Sequence, residues 1–232
     1  MLSKSIDESV RIAALLDAQA KAQVLFDEII RRDILTPGRR EREISDIVRD
    51  LATEMFSTRK FWHKRIVRSG VNTLEPYEEN PPDRRLEDDD IIFMDFGPVF
   101  QEWEADFGRT YVLGNDPAKL RIVDELPQLW QAGKDYFDAN PELSGTELFT
   151  FIRGIIEDAG WSHAQFHTGH LVGEYPHERI SGNDISCYIT LGNDEPMRRP
   201  DPTGRPSHWI LEIHLIDPTR KFGGFHEQLV DI

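Results

Sequence analysis

A single cysteine, Cys187, in 232 residues excludes an internal disulfide and any zinc site built on cysteine pairs. Long apolar runs are missing too: none approaches the ~18 residues that a membrane-spanning helix requires. The opening stretch, MLSKSIDESV, has no apolar h-region or cleavage pattern, so no secretory signal is read there. Basic residues are outnumbered, with 27 Lys and Arg against 42 Asp and Glu and a net charge of −15. A surface of that sign is repelled by phosphate backbones and anionic lipid, which argues against nucleic acid and membrane as partners. Together these absences point to a cytoplasmic chain.

What is present reads as globular: 39% apolar and 10% aromatic residues, in a length that suits one domain over residues 1–232. Ser5 and Glu8 have capping-box spacing, and Ile12, Leu15, Ala18, Ala22, Leu25 and Ile29 follow at helical period. TPG at 36–38 breaks that helix, and Ile44, Ile47, Val48, Leu51 and Met55 mark a second. Asp116-Pro117 reads as an N-cap with proline in the first turn, and Leu148, Phe151, Ile152, Ile155 and Ala159 mark a further helix closed by Gly160. Between and after these helices lie β-rich runs: IIFMDFG at 91–97, ADFGRTYVLG at 105–114, WILEIHLI at 209–216 and HEQLVDI at 226–232. Helices and strands without a βαβ alternation predict an α+β fold.

The strands carry acids where burial is expected. Asp95 and Asp106 are spaced for a hairpin that brings their carboxylates together, Glu212 interrupts WILEIHLI, and Glu227 precedes the terminal LVDI. A carboxylate inside a buried strand is costly unless a positive charge compensates it. FHTGHLVGEYPHE at 166–178 adds His167, His170 and His177. Their spacing does not fit the helical HExxH zinc motif, and Gly169 and Gly173 favour an extended, turning backbone. Four carboxylates and a histidine suit a pair of divalent cations.

The ordered set DFG, ADFGRT, HTGHLVG with a later HE, a strand glutamate and a C-terminal glutamate resembles the pita-bread metallopeptidases: methionine aminopeptidase, aminopeptidase P, prolidase and creatinase. The likeness includes the PG-x-x-E entry to the second helix and the SG-x-N segment at 69–72, and it is greatest to the Xaa-Pro branch. It implies an antiparallel sheet with helices packed on one side, in a catalytic domain alone. It also implies five metal ligands. Asp95 would chelate one ion, Asp106 and Glu227 would bridge both, and His170 and Glu212 would complete the other. By the same resemblance His177 contacts substrate near the scissile carbonyl, and Glu212 shuttles a proton from a metal-bridging hydroxide nucleophile to the leaving nitrogen. The oxygen-rich donor set favours Mn²⁺, with Co²⁺, Fe²⁺ or Zn²⁺ compatible. The expected partner is a small peptide or amide-like substrate, and the resemblance allows a homodimer.

The pattern departs from the family in two places. The histidine expected after SG-x-N is replaced in SGVNTLEPYEEN by Pro76 and its neighbours, and Glu212 is followed by Ile213 and His214 instead of proline. His63, His167 and His214 are therefore candidates for substrate contacts, His214 because residues two apart on a strand share a face. Arg198, Arg199 and Arg205, in the loop at 193–209, are candidates for anchoring a substrate carboxylate. The missing histidine keeps open a creatinase-like hydrolase of a non-peptide C–N bond. A metal-free binding module on the same fold is the remaining alternative.

Overall fold

The computed structural model describes residues 7–163, 165–176, 184–201, 204–217, 219 and 221–232. Helix α1 (Glu8–Arg31) is capped by Asp7, whose carboxylate accepts from the Ser9 N–H and satisfies an amide the first turn cannot; the expected Ser5 cap lies outside the described residues. Leu15, Ala18, Ala22, Leu25 and Ile29 face inward as the periodicity predicts, but Ile12 is only half-buried and Arg11 takes the buried place. Its guanidinium donates to Glu8 at 2.9 Å and to the Pro206 carbonyl at 3.1 Å, so the buried charge is paired. Helix α2 (Glu41–Phe56) buries Ile44, Val48 and Leu51, leaving Ile47 and Met55 at its margin.

The strands are β1 (Ile66–Ser69), β2 (Ile91–Phe96), β3 (Val99–Phe100), β4 (Trp103–Glu104) and β5 (Phe107–Val112), all before the second pair of helices. Helix α3 (Pro117–Ala139) starts at the predicted Asp116 cap, and α4 (Gly145–Asp158) at a reciprocal Ser144–Glu147 capping box. In α4 the inward residues are Leu148, Phe149, Ile152 and Ile156, with Phe151 and Ile155 half-buried. Then come β6 (Ser162–His163), β7 (His167–Val172), β8 (Tyr188–Thr190), β9 (His208–Asp217) and β10 (Phe222–Leu229). Among the described residues the main sheet runs β1-β2-β5-β10-β9-β7-β8, with β6 against β9 and a separate β3-β4 ribbon. Its pairs are antiparallel, giving the expected α+β architecture.

Alternation along the strands separates two faces. Ile92, Met94 and Phe96 pack with Leu25, Phe26, Ile44 and Val48 of α1 and α2. Leu211, Ile213 and Leu215 pack with Leu126 and Ile152 of α3 and α4. Both helix pairs therefore cover one face, and the intervening residues, Asp95 and Glu212 among them, project from the other.

The PG-x-x-E and SG-x-N segments meet in a buried knot. Glu41 accepts from the Ser69 amide at 2.6 Å, the Ser69 hydroxyl at 2.9 Å, Asn72 at 2.9 Å and the Arg84 amide at 3.1 Å. One carboxylate thus ties α2 to the end of β1 and the 3-10 turn at Gly70–Leu74, which borders the open face. Among the described residues no helix is long and apolar enough to cross a membrane.

Candidate metal centre

Strand register builds the centre. Asp95 on β2 lies opposite Gly108 on β5, Gly108 opposite Glu227 on β10, and Glu227 opposite Glu212 on β9. Three carboxylates thus stand in one row across the open face. Gly108 is the member without a side chain, and a Cβ there would fall 2.5 Å from the Phe225 ring and 3.1 Å from the Glu227 Cβ. Asp106, two residues earlier, joins the same face. From β7, His170 Nε2 lies 3.2 Å from Asp106 Oδ2 and 3.9 Å from Glu227 Oε1. Asp95, Asp106, His170, Glu212 and Glu227 are all buried. The structure brings together the five residues that the family pattern marks.

Residues three apart on a regular strand point to opposite faces, yet His167 and His170 both line the same cavity. A bulge between them achieves this. His167 pairs with Thr190 and His170 with Tyr188, so β7 spends one more residue than β8 over the same span. Gly169 sits in the bulge at φ 139°, in the region that favours glycine.

The cavity holds about 420 Å³ and has a largely aromatic wall that includes Trp62, Tyr77, Phe93 and Tyr188. His63 reaches it from the segment before β1, with Nε2 3.2 Å from Asp106 Oδ1 and 3.5 Å from Asp95 Oδ1. His167 Nδ1 lies 2.6 Å from Glu212 Oε1. Two expectations are corrected by placement. His214 does share a face with Glu212, but it is 1% exposed, packs on Phe93 and Phe225, and bonds the Thr73 carbonyl through Nε2 at 2.7 Å. Those two rings line the cavity and His214 does not. Arg198 donates to the Phe137 and Asn140 carbonyls, Arg199 to Pro196 and Ser186, and Arg205 pairs with Glu174; none of them lines the cavity. Among the described residues the arginine that lines it is Arg68, a buried residue of β1 hidden in the sequence by an ordinary strand position. Where the family's histidine is expected, Tyr77 lines the wall. His177 lies outside the described residues.

Charge is crowded here. Burial, with Asp106 and Glu212 nearby, raises Asp95 to about 7 against the pull of His63. Burial, Asp106, Asp95 and Glu212 raise Glu227 well above the carboxylate range. Burial also works against charge on Asp106 and Glu212, but His63 and His170 lower the first and His167 and His170 the second. His63 and His170 are raised to about 9: burial opposes their charge, and the adjoining carboxylates outweigh it. Asp95 Oδ1 and Glu227 Oε2 are buried without a hydrogen-bond partner, a state that demands a counter-charge. Two triads, His63–Asp95–Asp106 and Asp106–His170–Glu227, each offer ligand atoms within 4.8 Å of one another and share Asp106. Oxygen-rich donors, unpaired buried oxygens and a shared carboxylate fit divalent cations.

The model of metallopeptidase family M24 matches residues 9–200. An Xaa-Pro dipeptidase of Pyrococcus horikoshii is 27% identical over 192 residues, 78% of this chain and 54% of the relative. An Xaa-Pro dipeptidase of Pyrococcus furiosus is 28% identical over 193 residues, with the same coverage. Among solved structures, the dipeptidase PepE of Mycobacterium ulcerans superposes with TM-score 0.76 and 23% identity, covering 97% of this chain and 56% of that one. The X-Pro aminopeptidase of Thermotoga maritima gives 0.75 and 19%, covering 96% and 58%. The fold is thus that of the prolidases and aminopeptidases, and the chain spans about half the length of the curated relatives it matches.

Proposed function

The chain belongs to metallopeptidase family M24, and from that membership we propose that it is a dinuclear metal-dependent hydrolase of Xaa-Pro peptides, a dipeptidase or an aminopeptidase. The observation that carries this reading is the convergence of Asp95, Asp106, His170, Glu212 and Glu227 at a cavity of about 420 Å³, a volume within the range of small-ligand sites. Asp95, Asp106, His170, Glu212 and Glu227 are the residues that would hold the cations. Mn²⁺ suits so many oxygens. Bound there, such cations lower the pKa of water and polarise the scissile carbonyl.

The remaining work falls to the chain's own groups. Glu212, whose pKa His167 and His170 lower against its burial, is assigned to carry a proton from the attacking water to the leaving nitrogen. His177 is assigned to donate a hydrogen bond to the developing oxyanion. Trp62, Tyr77, Phe93, Phe166, Tyr188 and Phe225 surround the substrate space and suit a prolyl ring or an apolar side chain.

A second reading keeps the metals and changes the bond. The segment after SG-x-N carries Pro76 and Tyr77 in place of the family's histidine, and Tyr77 lines the wall, which favours a non-peptide C–N substrate. Turnover of Xaa-Pro dipeptides, Xaa-Pro-Xaa tripeptides and Met-Xaa peptides by the metal-loaded chain decides between them, with Asp106→Ala as the blank. Metal-dependent cleavage of the Xaa-Pro peptides supports the first reading. Two bound metals without cleavage transfer the assignment to the second, and failure to bind metal leaves only a binding module.

A further inference from the structure

We infer that His63 is itself a metal ligand, a second imidazole on the Asp95 side of the centre, so that each cation of the pair is held by one histidine. The inference rests on the dinuclear reading above and adds a sixth side chain to it.

Distances come first. His63 Nε2 is 3.2 Å from Asp106 Oδ1 and 3.5 Å from Asp95 Oδ1. Donors about 2.1 Å from a shared first-row cation lie roughly 3.0 Å apart at a right angle and 3.4 Å apart at a tetrahedral one. The three atoms therefore stand where ligands of one ion would stand.

The tautomer agrees. His63 Nδ1 lies 2.7 Å from the Lys64 carbonyl, which can only accept, so that nitrogen carries a proton. A neutral ring so fixed presents the Nε2 lone pair to two carboxylates, a repulsive arrangement unless a cation lies between them. His170 does the same thing: Nδ1 donates to the Leu171 carbonyl at 2.8 Å, and Nε2 faces Asp106 Oδ2 at 3.2 Å. Each histidine is locked by the carbonyl of the residue that follows it, and the two mirror each other about Asp106.

An imidazolium paired with Asp106 would make the same contacts in the absence of metal. A dication on Asp95 and Asp106 would repel it, and Gly97, Trp62 and Tyr77 pack against His63 behind and beside the ring. A Cβ on Gly97 would fall 2.2 Å from its Cδ2, and the Trp62 and Tyr77 ring centroids stand 4.6 and 5.9 Å away. The ring fixed through Nδ1 by the Lys64 carbonyl keeps Nε2 facing the space between Asp95 and Asp106 where the ion would lie. The resulting set of four carboxylates and two imidazoles shifts preference from Mn²⁺ toward Co²⁺ and Zn²⁺ relative to a one-histidine centre.

The test is metal titration of the apo chain by calorimetry, together with X-ray absorption on the doubly Co²⁺-loaded protein. About one imidazole per cobalt is expected, against about half of one if His170 alone ligates. His63→Gln should weaken one of the two equivalents at least about tenfold, and the loss should be greater for Co²⁺ than for Mn²⁺. Two tightly bound equivalents with about half an imidazole per metal overturn the inference while sparing the dinuclear reading. That absorption result needs only the wild-type chain, so a misfolded variant does not blur it. A wild-type chain that takes up no second equivalent overturns both.

Discussion

His63 and His170 stand on opposite oxygens of one carboxylate: each Nε2 lies 3.2 Å from Asp106, His63 at Oδ1 and His170 at Oδ2. Asp106 is thus the hinge of the candidate centre, shared by both potential ligand triads. It is also the acid that two imidazoles hold below the usual carboxylate range against the effect of burial.

Asp106→Asn should therefore disable both halves at once. The amide keeps the size but not the charge or the second carboxylate oxygen that the proposed bridge needs. Metal affinity should fall by more than the roughly 10- to 100-fold typical of outer-sphere partners, and turnover of a cleaved substrate with it. Metal content after desalting is the direct measure; two retained equivalents would show that Asp106 does not bridge.

Much of this could be read from the chain, for reasons particular residues make plain. Asp95, Glu212 and Glu227 are conspicuous because each interrupts a strand otherwise built for burial, and strand register then sets them in a row. His63 was visible only as a candidate for substrate contact. It precedes β1 on an irregular segment, 32 residues before Asp95 and 43 before Asp106, and local periodicity says nothing about such pairings. His214 shows the opposite failure: the two-residue rule gave its face correctly, but Phe93 and Phe225 pack around it. Arg11 took the buried place assigned to Ile12 because Glu8 and the Pro206 carbonyl neutralise it, and the latter contact spans 195 residues.

His167 acts through Glu212, whose Oε1 it approaches at 2.6 Å. His167→Ala leaves the five proposed ligands in place but frees Glu212 to rotate. The expected result is a fall in kcat of about 10- to 100-fold with a smaller change in KM, and retention of both metal equivalents. Steady-state kinetics with parallel metal analysis checks this; an unchanged kcat would remove His167 from the positioning of Glu212.

Arg68 shapes the wall. Its guanidinium donates to the Glu75 and Glu79 carbonyls, spanning the segment that places Tyr77 and Glu78 at the cavity. Arg68→Met should cost about 2 to 3 kcal/mol, since hydrogen bonds to a charged group are the stronger kind. That corresponds to a fall in Tm of roughly 5 to 10 °C for a chain this size. KM should rise more than kcat falls, because the displaced segment lines the proposed substrate space and carries none of the proposed metal ligands. Equal effects on both constants would argue that the segment is not part of the substrate wall.

His208 supplies a pH dependence away from the centre. Its Nε2 lies 2.7 Å from Glu8 at the start of α1, and its Nδ1 2.7 Å from Asp231 at the C-terminal end. Burial opposes its charge, but Asp231 and Glu8 raise its pKa above 6.5 in the folded chain. The folded state then binds the proton more tightly than the unfolded one. The stabilisation is complete below about pH 6.5 and is lost as pH rises through the higher folded value. His208→Gln should flatten that part of the stability profile relative to wild type, as read by denaturant midpoints from pH 6 to 9 under identical metal conditions. Parallel profiles would mean that the ion pairs contribute nothing.

Gly169 makes the sharpest structural prediction. An added Cβ would lie 2.0 Å from the Ile210 carbonyl oxygen, a backbone atom that cannot swing aside, and φ at 139° is itself unfavourable for any L side chain. Gly169→Ala must therefore push β7 from β9 or flatten the bulge. Flattening would turn either His167 or His170 away from the cavity, since residues three apart on a regular strand face opposite ways. The strain should cost at least about 3 kcal/mol, and metal affinity should fall even where the protein remains folded. Gly173→Ala is the control, because among the described residues nothing lies within 4 Å of a Cβ there. If both alanine variants bind metal and unfold like wild type, the bulge is not what aims the two histidines.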